Sequence, residues 1–254
     1  LFRDPIDPLF IGHKKVILPS CHSTNQAAAD LLAAGPVEDG TLVITDTQTH
    51  GKGQRGNTWE STPYQNLTFS VILKPHFLPV EQQFFLTIVS SLALLKTLEL
   101  FQLSAVEIKW PNDIYVEQYK IAGILIANSL RQQKLEASVI GVGLNVNQSS
   151  FSVENATSIR LQTGQKTNTA EVLDVLLKQL QKYYDLLIDG KHLSLKALYL
   201  ENLRWKDELR NFQIVQTKET IQGCIVDVDA YGRLQVQTAG ALKSFDFKEI
   251  KFLE

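Results

Sequence analysis

Between Glu81 and Leu100 the chain places Phe84, Phe85, Ile88, Val89, Leu92, Leu95 and Leu98 at helical spacing, the core face of one long α-helix. Such a helix has to be wrapped by other elements, and 254 residues, 44% hydrophobic and 20% charged, are enough to do so. A chain of that size buries roughly 70–75% of its unfolded surface and needs no disulfide or metal staple. Cys21 and Cys224 form no C-x-x-C pair, which argues against a structural zinc site and a secreted disulfide framework. The net charge of −2, from 25 Lys and Arg against 27 Asp and Glu, lacks the basic excess of a chain that works by gripping nucleic acid. The N-terminus shows no apolar signal-peptide core. No run of about 18 apolar residues is apparent, Gln82–Leu95 being the longest uncharged helical stretch. A cytoplasmic chain with neither nucleic acid nor membrane as partner is expected.

Other elements follow from the same kind of reading. Ser23 with Gln26 three residues on has the form of a capping box, opening a helix over Ala27–Ala34 that Gly35-Pro36 stops. Leu42–Thr45 and Leu67–Leu73 read as strands, the second alternating. Val106, Ile108 and Trp110 alternate up to Pro111-Asn112-Asp113. Ile114–Val116 and Ile121–Ala127 bracket a hairpin turn, and Ala137–Asn147 is a further strand. Asn168 and Glu171 cap a helix whose apolar face is Val172, Leu173, Leu176, Leu180, Tyr183 and Leu187, with a shorter helix over Leu193–Arg204. From about Asn211 short β-rich stretches (Phe212–Thr217, Ile221–Val228, Leu234–Thr238, Leu242–Phe247) alternate with turns, as in a small antiparallel barrel. The boundary falls near Lys206–Arg210, giving units of residues 1–206 and 207–254.

Four segments carry chemistry. Gly51-Lys52-Gly53-Gln54-Arg55-Gly56 matches G-x-G-x-x-G, yet Asn57 to Asn66 has no helical apolar face, and a dinucleotide site needs a helix opening there. With no G-K-[ST] ending it is not a P-loop either. It remains either a solvated basic loop or one whose backbone N–H groups and cations turn toward an anion. Lys109-Trp110-Pro111-Asn112-Asp113 puts an amide and a carboxylate where a strand leaves the sheet, as a turn or a ligand contact. Lys120, ahead of Ile121-Ala122-Gly123-Ile124-Leu125, is a snorkelling lysine or an ammonium at a site rim. Gly141-Val142-Gly143-Leu144-Asn145-Val146-Asn147 permits close backbone approach, with Asn145 offering donor and acceptor together.

In this order and combination, together with Ser23-Thr24-Asn25 and with Gln48 ahead of Gly51–Trp59, the segments closely resemble the biotin protein ligases. The resemblance covers the chain from about Ser20 onward. It implies an α+β fold of class II synthetase-like, biotin/lipoate ligase type, with a mixed sheet, helices packed on it and an SH3-like β-barrel behind. It implies a two-step ligase with ATP and biotin as substrates and Mg²⁺ as cofactor: biotinyl-5′-AMP forms first, and a lysine of the biotin carboxyl carrier protein of acetyl-CoA carboxylase then takes the biotin. By family position Ser23, Thr24, Asn25, Gln48, Gly51, Lys52, Gly53, Gln54, Lys120 and Gly123 would bind biotin. Lys52, Gln54, Arg55, Asn57, Trp59, Asn112, Asp113, Lys120 and Asn145 would face ATP. Lys120, Lys52, Arg55 and Asp113 would carry the chemistry, with Asp113 on Mg²⁺. Relatives often pair as homodimers.

One departure stands out: Lys52, Gln54 and Asn57 replace three arginines that many relatives carry in the loop. Among rivals, lipoate ligases share the implied fold, but their Arg-rich, Ser-Gly-Gly-Gly type loop is missing. A thiol mechanism would need a cysteine at the site, and Cys21 beside His22 reads as a loop residue. The five histidines show no metal-ligand spacing. A biotin-sensing repressor needs a helix-turn-helix arm, for which the 22 residues before Ser23, with Pro5, Pro8 and Pro19 among them, give no room.

Overall fold

The computed structural model describes residues 10–253, and of Arg55 the backbone alone. The N-terminal features read for a signal peptide and a DNA-binding arm fall in large part on residues 1–9, outside the described residues. One sheet holds seven strands: β1 (Lys15–Leu18), β2 (Thr41–Thr45), β3 (Leu67–Leu73), β4 (Val106–Lys109), β5 (Asp113–Val116), β6 (Tyr119–Arg131) and β7 (Lys134–Leu144). Their order is β1-β2-β3-β7-β6-β5-β4, with β1 parallel to β2 and every other pair antiparallel. The helices are α1 (Thr24–Ala34), α2 (Phe85–Leu100), the short α3 (Ile159–Thr163), α4 (Thr169–Ile188) and α5 (His192–Glu201).

The two faces of the sheet are used differently. Leu42, Phe69, Val71, Leu73, Ile140, Val142 and Leu144 join α2, α4 and α5 in one continuous core. On the opposite face Val43, Ile72 and Val139 pack against Ala28 of α1 in a small second core. β3 is therefore buried at all its positions, where alternation in the sequence suggested one covered face. Alternation predicts a half-buried strand only when the other face meets water.

α2 departs from expectation in the same direction. Besides the predicted face, Leu86, Ser90, Ser91, Ala93, Leu94 and Thr97 are buried, because the helix lies between the sheet on one side and α4 and α5 on the other. Ser90 and Thr97 tolerate this by donating to the carbonyls of Leu86 and Ala93, both at 2.7 Å, the in-helix outlet for a buried hydroxyl. By length and composition alone, Val80–Leu100 is apolar enough to cross a membrane, which corrects the expectation that no such stretch exists. With 72% of that window buried, it serves here as a core helix.

Other differences are local. Ser23 precedes α1 in extended conformation, but its side chain makes no cap bond. Gln26 instead donates to Asp30 at 3.0 Å, and the amide of Thr24, which has no partner within the helix, is met by Gln48 Oε1 at 2.8 Å. Asn168 caps α4 as expected, accepting from Ala170 N at 2.9 Å. α5 ends before Arg204, because Leu203 turns to bridge Ile108 of β4. Arg204 is there held under Glu107 at 2.7 Å.

A second, antiparallel sheet is built from β8 (Leu209–Ile214), β9 (Thr220–Val228), β10 (Leu234–Thr238), β11 (Leu242–Phe245) and β12 (Ile250–Phe252), in the order β11-β10-β9-β8-β12. β12 is too short to show periodicity, and sequence reading missed it. The interior of this sheet, with Phe212, Ile225, Leu234 and Val236, is continuous with the main core. The seam is aromatic: the ring of Phe247 lies 5.4 Å from Trp110 and 6.2 Å from Phe84, and Trp110 Nε1 donates to Gly232 O at 2.9 Å. Gly232 has φ +88°, and a Cβ there would lie 2.7 Å from Phe84 Cγ. Gly232→Ala is expected to destabilise the protein by about 1–3 kcal/mol through overpacking at this seam. Denaturation midpoints measure the loss, and a midpoint equal to wild type would show that the seam is loosely packed.

Candidate functional site

Register explains where the site lies. Thr68, Gly143, Gly123 and Asp113 form one row across β3, β7, β6 and β5, and Ser70, Gly141 and Leu125 form the next. On the face that also carries α1, these rows are almost free of bulky side chains, so the sheet has a shallow floor where other residues can lie flat on it. Trp59 does so. A Cβ on Gly143 would stand 2.6 Å from its Nε1, and one on Gly123 would stand 3.3 Å from its Cζ3. Asn25 occupies the next row, where a Cβ on Gly141 would stand 2.7 Å from its Cγ.

Above this floor is a cavity of about 760 Å³. Ser23, Thr24, Asn25, Gln48, Lys52, Gly53, Gln54, Asn57, Trp59, Asn112, Asp113, Lys120, Gly123 and Asn145 all line it. Of the residues named from sequence, Gly51 is not part of the lining. It supports the cavity from behind, its carbonyl accepting from Trp59 N at 2.9 Å. The side chain of Arg55 lies outside the described residues.

The glycine-rich segment folds as a small hairpin with a 3-10 turn, Gln54–Gly56, at its tip. Lys52 bridges Thr58, and Gly53 N–H donates to Asn57 O at 2.7 Å. No helix follows the glycines, as the sequence anticipates. Lys52 Nζ reaches back to α1, donating to Gln26 Oε1 at 3.1 Å. Just past the hairpin, Glu60 accepts from the backbone N of Ser152 at 3.2 Å and from its hydroxyl, tying the hairpin to the segment after β7.

Lys120 is the electrostatic centre. Tyr115 pairs with Lys120 across β5 and β6, and Asp113, two residues before Tyr115, shares its face. The two charges meet at 2.7 Å, both partly exposed, with the ammonium 5.8 Å from the centre of the Trp59 ring. The backbone of Lys120 is fixed as well, donating to Asn155 O and accepting from Thr157 N, each at 2.9 Å. Asn112 is held by β6, its Nδ2 donating to Ile124 O.

Asn145 is buried, and its Nδ2 donates to Thr157 O at 2.9 Å, while Oδ1 has no hydrogen-bond partner among the described residues. Trp59 Nε1 is likewise buried without one. Such groups lose free energy unless a ligand meets them. No group of three His, Cys, Asp or Glu among the described residues could hold a metal by itself.

Cys21 does not line the cavity, and burial pushes its thiol up from the ordinary value, with a bond to Thr45 opposing. Neither fact suits a nucleophilic thiolate. Sequence reading missed two groups of lining residues. Phe151, Ser152, Val153, Asn155 and Ala156 come from the loop after β7, and Phe247, Lys248, Ile250 and Phe252 come from the second sheet. Neither stretch has glycine spacing or charge pattern to mark it.

The architecture has known counterparts. Residues 17–145 match the family described as biotin/lipoate A/B protein ligase. Biotin--protein ligase 2 of Arabidopsis thaliana is 30% identical over 242 residues, covering 88% of this chain and 70% of its own length. The bifunctional ligase/repressor BirA of Bacillus spizizenii is 32% identical over 167 residues, 64% of this chain and 51% of that protein. The chain thus spans about half the length of some curated relatives it matches. Among solved structures, the biotin protein ligase of Aquifex aeolicus in complex with biotin and ATP superposes with a TM-score of 0.77 at 26% identity, over 94% of this chain and 98% of that one. With half of its residues inside the family match and a relative of this extent, the chain belongs to the biotin/lipoate A/B protein ligase family.

Proposed function

We propose that the chain activates biotin with ATP and passes the biotinyl group to a lysine of a carboxyl carrier protein, such as that of acetyl-CoA carboxylase. The observation that carries biotin over lipoate is the polar, buried end of the cavity, where Ser23 and Thr24 are each 3% exposed and Thr24 is bonded to Gln48. A ureido ring offers N–H donors and a C=O acceptor to such a set. A dithiolane ring offers neither and would leave buried polar groups unmet, at about 1–3 kcal/mol each. The Aquifex structure with biotin and ATP and the relatives named for biotin support the same choice.

In the first step a carboxylate oxygen of biotin attacks the α-phosphorus of ATP, the bond to the bridging oxygen breaks, and pyrophosphate leaves. Both reactants are anions, so fixed cations have to offset their repulsion and the charge growing in the transition state. Lys120 would bridge the carboxylate and the α-phosphate, steered by Asp113 at 2.7 Å. Lys52, Gln54, Arg55 and Asn57 of the hairpin would meet the phosphates, with Gly53 letting the backbone come close and Gly51 closing the hairpin on Trp59. Trp59 would close over the adenylate and keep water from it. Asn145 Oδ1, lacking a donor partner, would take one from the nucleotide, and Asn112 would lie beside it. In the second step the carrier lysine amine attacks the acyl carbon, and AMP leaves with the bonding pair.

Asp113 fits a Mg²⁺ site as its single carboxylate, the usual protein share when substrate phosphates supply most other ligands. That ion would neutralise phosphate charge. Residues 1–206 would form the catalytic unit and residues 207–254 the barrel that completes the cavity wall. A cytoplasmic location is part of the same reading. A homodimer is also part of this reading, with the edge strand β1 and its exposed Ile17 offering an open edge.

Incubation with labelled biotin, MgATP and a carrier domain is expected to label the carrier, and to do so only with ATP present. An unlabelled carrier, or preferential use of lipoate, would sink the reading. Lys120→Ala is expected to lower pyrophosphate release about 100-fold or more with an unchanged melting temperature. Release near the wild-type rate would remove Lys120 from its assigned role. Asn145→Ala is expected to raise the KM for ATP about tenfold and the KM for biotin little, and an equal effect on both would place Asn145 elsewhere in the reaction.

A further inference from the structure

Beneath the polar end of the cavity lies a hydroxyl that no motif marks. Ser70 of β3 is fully buried. Its Oγ stands 2.6 Å from Asn25 Oδ1 and 2.8 Å from Thr24 Oγ1. A serine hydroxyl has one proton, so it can donate only one of these bonds.

The Leu125 carbonyl decides which. A carbonyl only accepts, so the Asn25 atom 2.9 Å from it is the amide nitrogen, and Asn25 turns its oxygen toward Ser70. That oxygen cannot donate, so Ser70 donates to Asn25 and must accept from Thr24. Thr24 thus spends its proton on Ser70 at 2.8 Å rather than on Gln48 Oε1 at 3.4 Å. Gln48 is oriented independently, since its Oε1 accepts the backbone N–H of Thr24 at 2.8 Å and its Nε2 is left as the donor. The ligand therefore meets lone pairs at Thr24 and an N–H at Gln48.

We infer that Ser70 is a positioning residue that sets the donor and acceptor polarity of the ureido site, by holding a one-way chain of hydrogen bonds from Thr24 through Ser70 and Asn25 to the Leu125 carbonyl. The inference rests on biotin as the substrate: a ring N–H directed at Thr24 and the ureido oxygen directed at Gln48 satisfy both groups. Without Ser70, Asn25 loses its donor and the Thr24 proton is released toward Gln48 or the ligand, so the site no longer presents one fixed polarity. Ser70 itself does not line the cavity, so its effect reaches the ligand through Thr24 and Asn25 and falls on biotin binding. Gly141 belongs to the same device, because only a residue without a Cβ lets Asn25 lie across β7 to reach both Ser70 and Leu125.

Biotin-dependent pyrophosphate release by wild type, Ser70→Ala, Ser70→Cys, Thr24→Val and the Ser70→Ala/Thr24→Val double mutant tests this. Ser70→Ala is expected to raise the KM for biotin about tenfold or more, with kcat and the KM for ATP within about twofold. Ser70→Cys, a weak donor of similar size, should fall between the two, and it supplies the comparison if Ser70→Ala does not fold. The double mutant should be within about threefold of Thr24→Val alone, because a broken chain cannot be broken twice. A biotin KM in Ser70→Ala and Ser70→Cys equal to wild type overturns the inference and leaves the biotin reading standing. So does a parallel loss in both KM values and in melting temperature, the mark of packing damage alone. Wild-type protein that releases no pyrophosphate with biotin overturns the reading and the inference together.

Discussion

Everything at the cavity depends on the absence of side-chain bulk along two rows of the sheet. Gly123, Gly141 and Gly143 let an indole and a carboxamide rest directly on backbone, and a single Cβ at Gly143 would come within 2.6 Å of the Trp59 indole nitrogen. That close seat brings the glycine-rich hairpin down onto the sheet, since Trp59 is also where the hairpin closes on Gly51. With the hairpin in place, Glu60 meets Ser152 and Lys120 lies beside the ring. The polar groups thus converge because the floor beneath them is bare.

The cavity wall is drawn from places distant in the chain. The segment after β7 joins it through backbone bonds to Lys120. The second sheet joins it through Phe247, wedged against Trp110 and Phe84. Trp110 precedes the Pro-Asn-Asp run, so the residues that turn Asn112 and Asp113 into the cavity also anchor the second sheet. The seam residue Trp110 thus stands only two positions before Asn112 and three before Asp113 in the chain.

Much of this was legible in sequence because it is written in local pattern. The cap at Asn168, the apolar face of α4, the hairpin between β5 and β6 and the four chemistry-bearing segments each depend on neighbours within a turn or a strand. What escaped depends on pairing between distant segments. Ser70 looks like any strand serine until β3 is registered against β7. The Ser23–Gln26 capping box is a sound local signal, overridden because the Gln26 amide is taken by Asp30 and by Lys52, which arrives from another segment. β3 and α2 were misjudged as one-sided because periodicity reports one covered face and is silent about a second. β12, three residues long, is below the length at which any period can be read.

The burial of α2 between the sheet and the pair α4 and α5 also bears on how the chain acquires its fold. Its partners in the sheet, β4, β5 and β6, follow it directly in sequence, but α4 and α5 begin only at Thr169 and His192. A polypeptide emerging from its N-terminus completes an apolar cylinder well before its covering exists, and transiently exposed surface of that kind is prone to aggregate. The residues that complete this covering include Leu195 and Tyr199, both fully buried and late in the chain.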